Sequence, residues 1–120
     1  MDKKTLVLGA SLNPSRYSNM AIKKLVNHNI DTVAIGLRHG MVAGIDIPTE
    51  KLPFKDLHTV TLYLNPTNQK PYYDYIVSLK PTRVIFNPGT ENPEFYKILK
   101  EHAISFETAC TLVLLSTNKY

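Results

Sequence analysis

Short apolar runs rich in β-branched residues recur four times in this 120-residue chain: TLVLG at 5–9, DTVAIG at 31–36, HTVTLYL at 58–64 and TRVIF at 82–86. Each is followed at once by a stretch rich in Gly, Pro, Asn, Ser or Thr. Three of the four then lead into helical periodicity. Strands that alternate with helices are joined by crossovers and must run parallel, and a parallel sheet needs helices on both faces. This alternation constrains the fold more than any other feature.

The helical segments are recognised by the spacing of their apolar residues. Tyr17, Ala21 and Leu25 fall at i, i+4 and i+8, with Ile22 and Val26 beside them, and Lys23, Lys24 and Asn27 are left for water. Ser15 is the expected N-cap. Tyr72, Tyr73, Ile76 and Val77 give a second helical face, with Thr67 or Asn68 as its expected cap. Asn92-Pro93 opens a third helix, since proline is tolerated in a first turn. Phe95, Ile98, Leu99 and His102 form the apolar face of that helix. ISFE (104–107) is expected as a fifth strand and ACTLVLLS (109–116) as a terminal helix. The segment from Gly36 to Phe54, which holds Gly40, Gly44, Pro48 and Pro53, reads as a long loop with at most one short helix or strand.

These elements predict an α/β fold, a Rossmann-like three-layer sandwich. It has about five parallel strands in the order 3-2-1-4-5 and helices on both faces. A chain of this length buries roughly two thirds of its unfolded surface, enough for one core, so residues 1–120 are expected as a single domain. No repeat, linker or low-complexity segment interrupts them.

Composition narrows the functional classes. The net charge is +4, but the 14 Lys and Arg are scattered, with the densest clusters at Lys3-Lys4 and Lys23-Lys24. Nucleic-acid binding asks for a concentrated basic stripe with interleaved aromatics, so no nucleic-acid partner is expected. The excess charge suits a small anionic ligand. Cys110 is the only cysteine, so no internal disulfide forms. The apolar stretch near the start is too short for a secretory core or a membrane span. No membrane association is expected, and the location is expected to be cytoplasmic.

In such a sheet, every loop that leaves the C-terminal end of a strand lies on one edge, and ligands bind there where the strand order reverses. The loops concerned are Gly9 to Ser15, Gly36 to Gly44, Leu64 to Thr67 and Asn87 to Asn92. They contain all five glycines of the chain, and the loops of the opposite edge contain none. Small residues allow a backbone to approach a ligand closely. The first loop, within LVLGASLNPSRYSN (6–19), runs from a strand through Ser11 and Ser15 to a helix start near Arg16. Free N–H groups and the helix dipole favour an anion there, and Arg16 can add a charge-assisted contact. The dinucleotide pattern G-x-G-x-x-G is absent, since residues 9–14 read G-A-S-L-N-P, and so is the Walker pattern. An NAD site also asks for a carboxylate after the second strand. Here that place reads Gly36-Leu37-Arg38, and an arginine there suits a phosphate on the ribose, as in NADP or coenzyme A.

Together these motifs resemble the small stand-alone coenzyme A-binding proteins, whose domain is similar to the nucleotide-binding N-terminal domain of the succinyl-CoA synthetase α subunit. The resemblance covers about residues 5–115. The family's first loop is similar to G-A-S-x-N-P-x-R-x-S, matched by Gly9-Ala10-Ser11-Leu12-Asn13-Pro14-Ser15-Arg16-Tyr17-Ser18. Arg38 keeps the basic residue that follows the family's second strand, without its Asn-Pro. Asn65-Pro66 keeps only the proline after the third. Phe86 to Asn92 resembles the family's aromatic, Gln, Gly and Asn pattern, with Asn87 for Gln. Glu107-Thr108-Ala109-Cys110-Thr111-Leu112 resembles the family's E-N-A-C-T-L.

The resemblance implies that Gly9, Ala10, Ser11, Asn13, Pro14, Arg16, Tyr17 and Ser18 hold the coenzyme's phosphates. It implies that Gly36 and Arg38 lie near the adenosine end, with Arg38 at the ribose phosphate. Leu64, Asn65 and Pro66 would flank adenine or pantetheine, and Asn87, Pro88 and Gly89 would line the same crevice. The implied function is non-catalytic binding of coenzyme A or an acyl-CoA, for sensing or for delivery to a protein partner. Relatives that do chemistry place a phosphorylated histidine in a further domain.

The residues themselves leave an alternative open: an NADP-dependent oxidoreductase or a fragment of an acyl-CoA enzyme. His28, His39, His58 and His102 sit in different elements and no zinc-ligand spacing links them. His102 is expected to be packed, whereas His39 lies in a ligand-edge loop. No G-x-S-x-G elbow is present. Cys110, between Ala109 and Leu112, is expected to be a buried structural thiol. Tyr63, Tyr72, Tyr73 and Tyr75 fit either a crevice wall or the core.

Overall fold

A computed structural model describes residues 3–120, so the first two residues of the expected domain lie outside it. Strand β1 (Thr5–Ala10) leads through a loop to α1 (Tyr17–Asn27) and then β2 (Thr32–Gly36). A hairpin of β3 (Gly40–Val42) and β4 (Ile45–Ile47) follows, then β5 (Thr59–Leu62). Next come α2 (Pro66–Gln69), a 3-10 turn (Lys70–Tyr72) and α3 (Tyr73–Leu79). The chain ends with β6 (Arg83–Phe86), α4 (Pro93–Glu101), β7 (Ser105–Thr108) and α5 (Thr111–Ser116).

The main sheet has five parallel strands in the order β2-β1-β5-β6-β7. Its pleat sorts side chains between two cores, because successive residues of a strand point to opposite faces. Leu6, Leu8, Ile35, Val60, Leu62, Val84 and Phe86 pack with Ile76 of α3 and with Phe95 and Leu99 of α4. Val7, Ala10 and Ala34 pack with Ile22 and Leu25 of α1 and Leu115 of α5. Helices therefore cover both faces, as the alternation of elements predicts. Aromatic packing joins α3, α4 and the sheet, with ring centroids 4.4 Å apart for Tyr73–Phe95 and 4.7 Å for Phe86–Tyr96.

Counted by the five long strands alone, the order is 2-1-3-4-5. It shares with 3-2-1-4-5 a reversal at β1 and differs in the place of the third strand, which lies directly beside β1. The segment after β2 reads from sequence as a long loop with at most one short helix or strand. It forms the two-stranded antiparallel β3–β4 hairpin instead, and Gly36 N donates to Pro48 O (3.0 Å). The hairpin packs beside β2, and β5 pairs with the other side of β1.

Three further expectations are corrected. The N-cap of α1 is Arg16, which makes no side-chain cap bond, while Ser15 N and Oγ both donate to Asn13 Oδ1. Asn65, rather than Thr67 or Asn68, caps the helix after β5, accepting from Asn68 N. His102 closes α4 as an exposed C-cap instead of joining its apolar face. The expected Asn92-Pro93 start is present, with Asn92 accepting from Phe95 N. Among the described residues no helix is long and apolar enough to cross a membrane.

Candidate ligand-binding site

The chain runs outward from β1 to β2, returns, and continues from β5 in the other direction. The gap where the order reverses therefore opens between the C-terminal ends of β1 and β5, the position at which open α/β sheets bind ligands. A cleft of about 600 Å³ occupies it. All four ligand-edge loops line this cleft.

The floor begins at Gly9. This residue sits at φ +95° in a bulge where β1's pairing with β2 shifts between Leu8 and Ala10. A Cβ at Gly9 would lie 3.0 Å from the Tyr63 carbonyl carbon and 3.1 Å from the Leu64 side chain. Glycine is thus required both by conformation and by the close approach of β5. The loop that follows is held by its own short side chains: Asn13 N donates to Ser11 Oγ (3.1 Å), and Arg16 N closes a turn onto Asn13 O (3.0 Å). Asn19 of α1 donates to Ser11 O (2.9 Å), which ties the loop to the helix. The first amides of α1 have no side-chain cap and no acidic residue in their turn, so they are open to an anion.

Of the residues expected to bind, Gly9, Ala10, Ser11, Arg16, Tyr17, Ser18, Arg38, Leu64, Asn65, Pro88 and Gly89 line the cleft. Asn13, Pro14, Gly36, Pro66 and Asn87 do not. Asn13 and Pro14 build the turn behind the loop, and Pro66 starts α2. Gly36 is buried, and a Cβ there would meet Ala10 O at 2.5 Å and Ile47 Cγ2 at 3.0 Å. Asn87 is 2% exposed and fully engaged: Nδ2 donates to Thr61 Oγ1 (2.7 Å) and Leu62 O (2.8 Å), and Oδ1 accepts from Thr111 N (2.9 Å). With Thr61 and Thr111, whose hydroxyls are 2.8 Å apart, Asn87 joins β5, β6 and α5 beneath the cleft.

Leu12, Leu37, Asn68 and Thr90 also line the cleft and were not expected there, and Tyr63, which the sequence left open between crevice wall and core, lines it too. Leu37 is 87% exposed and Leu12 41%, so both offer apolar surface at the rim. A leucine between Gly36 and Arg38 in a loop is the one signal that pointed to the former. Of these four tyrosines Tyr63 lines the cleft, whereas Tyr72, Tyr73 and Tyr75 pack on the α3–α4 side. Burial pushes the Tyr63 phenol up to about 12, against a smaller opposing effect of the neighbouring Thr111 and Thr61 hydroxyls. Tyr17, expected on the apolar face of α1, is 70% exposed and stands at the cleft mouth.

Among the described residues the lining carries two arginines, Arg16 and Arg38, and no carboxylate, histidine or thiol. Its charge is therefore positive, supplied from two different loops. His39 is exposed and outside the lining, and Cys110 is half-buried at the start of α5. Among the described residues no three His, Cys, Asp or Glu come together as a metal site.

A parallel sheet whose reversal gap is floored by a positive-φ glycine, and which runs from there into an uncapped helix start, defines a Rossmann-like α/β domain with its cleft in the usual ligand position. The chain belongs to the CoA binding domain family, whose pattern matches residues 3–116. No curated protein matches it. Among solved structures, a protein described only as uncharacterized is 46% identical with a TM-score of 0.96, the match covering 100% of this chain and 99% of the other. A Thermus thermophilus protein, cell-free ID.343, is 21% identical with a TM-score of 0.87, covering 99% of this chain and 91% of the other. A hypothetical protein from Pyrococcus horikoshii OT3 is 24% identical with a TM-score of 0.87, covering 97% and 83%. The last two establish likeness of fold.

Proposed function

We propose that this chain is a non-catalytic module that binds coenzyme A or an acyl-CoA and holds it for sensing or for a protein partner. One observation carries the reading. Arg16 and Arg38, from the loops after β1 and β2, line a single cleft to which no carboxylate among the described residues contributes. Arg16 lies at the helix start, where a pyrophosphate gains from free amides and the helix dipole. Arg38 lies at the end of β2, where a ribose phosphate gains a charge-assisted contact. The family supports the choice of coenzyme A over other phosphorylated nucleotides. Among the described residues the lining holds no carboxylate, histidine or thiol that could serve as a general base near neutral pH.

Calorimetry with coenzyme A, acetyl-CoA, dephospho-CoA, NADP and NAD tests this. Coenzyme A is expected to bind more tightly than dephospho-CoA. Arg38→Ala should weaken coenzyme A roughly tenfold or more, the usual worth of a hydrogen bond to a charged group, and should erase the difference between the two. Arg16→Ala should weaken both alike. Binding of NADP alone, with hydride transfer from the purified chain, would replace this reading with the oxidoreductase one.

A further inference from the structure

Two loops of the cleft, after β5 and after β6, come from different crossover units, and their separation sets the width of the site. We infer that Gln69 is the positioning residue that fixes this separation. Gln69 is the last residue of α2 and is 0% exposed. Its Nε2 donates to Leu64 O (2.8 Å) and to Thr90 O (2.8 Å), carbonyls of two residues that line the cleft, one from each loop. Its Oε1 accepts from Asn92 Nδ2 (2.9 Å). Asn92 in turn donates to Tyr73 OH (2.7 Å), and Tyr73 OH donates to Glu94 Oε1 (3.1 Å). Both N–H groups and the oxygen of the amide are thus used. Among the described residues, the hydrogen bonds that link 64–68 to 88–91 all run through this one side chain.

The chemistry of the position is selective. Two carbonyls facing one buried group require two donors, and only an amide of this length supplies two donors with an acceptor behind them. A methionine fills similar space but leaves both carbonyls without this donor and removes one of the Asn92 amide's hydrogen bonds in the interior. An ionised glutamate turns an oxygen toward carbonyl oxygens. Burial and those neighbours raise its pKa, and once protonated it can donate to one carbonyl. A glutamate at 69 therefore makes the loop spacing sensitive to pH, whereas the glutamine does not titrate.

The inference rests on the coenzyme A reading for its affinity arm and is tested also without ligand. Backbone amide exchange and coenzyme A calorimetry are measured for the full chain and for Gln69→Met and Gln69→Glu. In Gln69→Met, exchange in 64–68 and in 88–91 is expected to rise together, with coenzyme A affinity falling tenfold or more. Gln69→Glu should show the same at pH 8. Its deficit relative to the parent at the same pH should shrink several-fold by pH 5.5, a signature that general destabilisation does not produce. The inference is overturned if the loops loosen separately or not at all, if both loosen while affinity stays within twofold, or if the Glu deficit ignores pH. If the parent chain binds no coenzyme A, the ligand reading fails, and Gln69 is then decided by whether exchange in both loops responds jointly and with pH. Should Gln69→Met not fold, Gln69→Glu at acid pH, which keeps one donor, decides the same question.

Discussion

Gly9 and Gly89 both hold positive φ, +95° and +92°, yet they carry different loads. At Gly9 an added Cβ meets the Tyr63 backbone and Leu64, whereas at Gly89 nothing lies within 4 Å. Gly9→Ala combines backbone strain with a clash against β5 and should cost about 3 kcal/mol, and Gly89→Ala about 1 kcal/mol from strain alone. Urea unfolding of the two variants checks the difference, and equal losses would remove the argument for close strand approach at Gly9. The first loop's glycine and its hydroxyl-rich composition were legible in the sequence because only special residues tolerate such geometry. Asn87 shows what was not legible. A family pattern marked it as a cleft residue, but loops have no periodicity to say which way a side chain points, and its amide is turned under the floor onto Thr61, Leu62 and Thr111.

The same ambiguity governs whole elements. Four Asn-Pro pairs occur, at 13–14, 65–66, 87–88 and 92–93, and all lie on the ligand edge. Asn65 and Asn92 cap helices that begin at the following proline. Asn13 instead turns back onto Ser15, and Asn87 starts a turn closed by Thr90 N. The dipeptide announces a change of direction, and the residues around it decide between cap and turn. The β3–β4 hairpin escaped for a related reason. Its strands have three residues each, too few to display alternation, and its two-residue turn is Ala43-Gly44 rather than a favoured Asn-Gly. Both turn residues hold positive φ, +52° and +79°, the geometry of a type I′ turn. Alanine pays for that conformation, and asparagine tolerates it better. Ala43→Asn should therefore stabilise the chain by about 0.5–1 kcal/mol, read as a higher urea midpoint with an unchanged slope. A lower midpoint would mean that Ala43 is chosen for a contact rather than tolerated.

At the scale of the molecule, the parallel sheet, its layers and the edge that carries the cleft followed from the spacing of strands and helices. The neighbour of β1 did not, because strand order depends on how a long connection folds and not on the strands themselves. That order sets β5 beside β1 along its whole length, with the cleft at one end and a cluster of titratable groups at the other. There His58 Nδ1 lies 2.7 Å from Thr59 Oγ1, and Arg83 donates to the same hydroxyl (3.1 Å). The Arg83 guanidinium stacks over the Tyr120 ring at 4.5 Å and reaches Glu107 at 3.5 Å. Burial first, then the positive charges of Arg83 and Lys3, hold His58 below its ordinary value of 6.5. A histidine depressed in the folded state binds its proton more readily once unfolded. Stability is therefore present in full above the unfolded value and is lost as pH falls from about 6.5 toward the folded pKa. The urea midpoint should decline between pH 7.5 and 5.5, and His58→Asn should flatten that decline, since it keeps a polar partner for Thr59 without the titrating proton. Coenzyme A affinity of His58→Asn should follow the parent's pH profile, because the cleft lies at the opposite end of β5. An unchanged slope in the variant would mean that other groups carry the acid sensitivity, and a shifted ligand profile would mean that the two ends of the sheet are coupled.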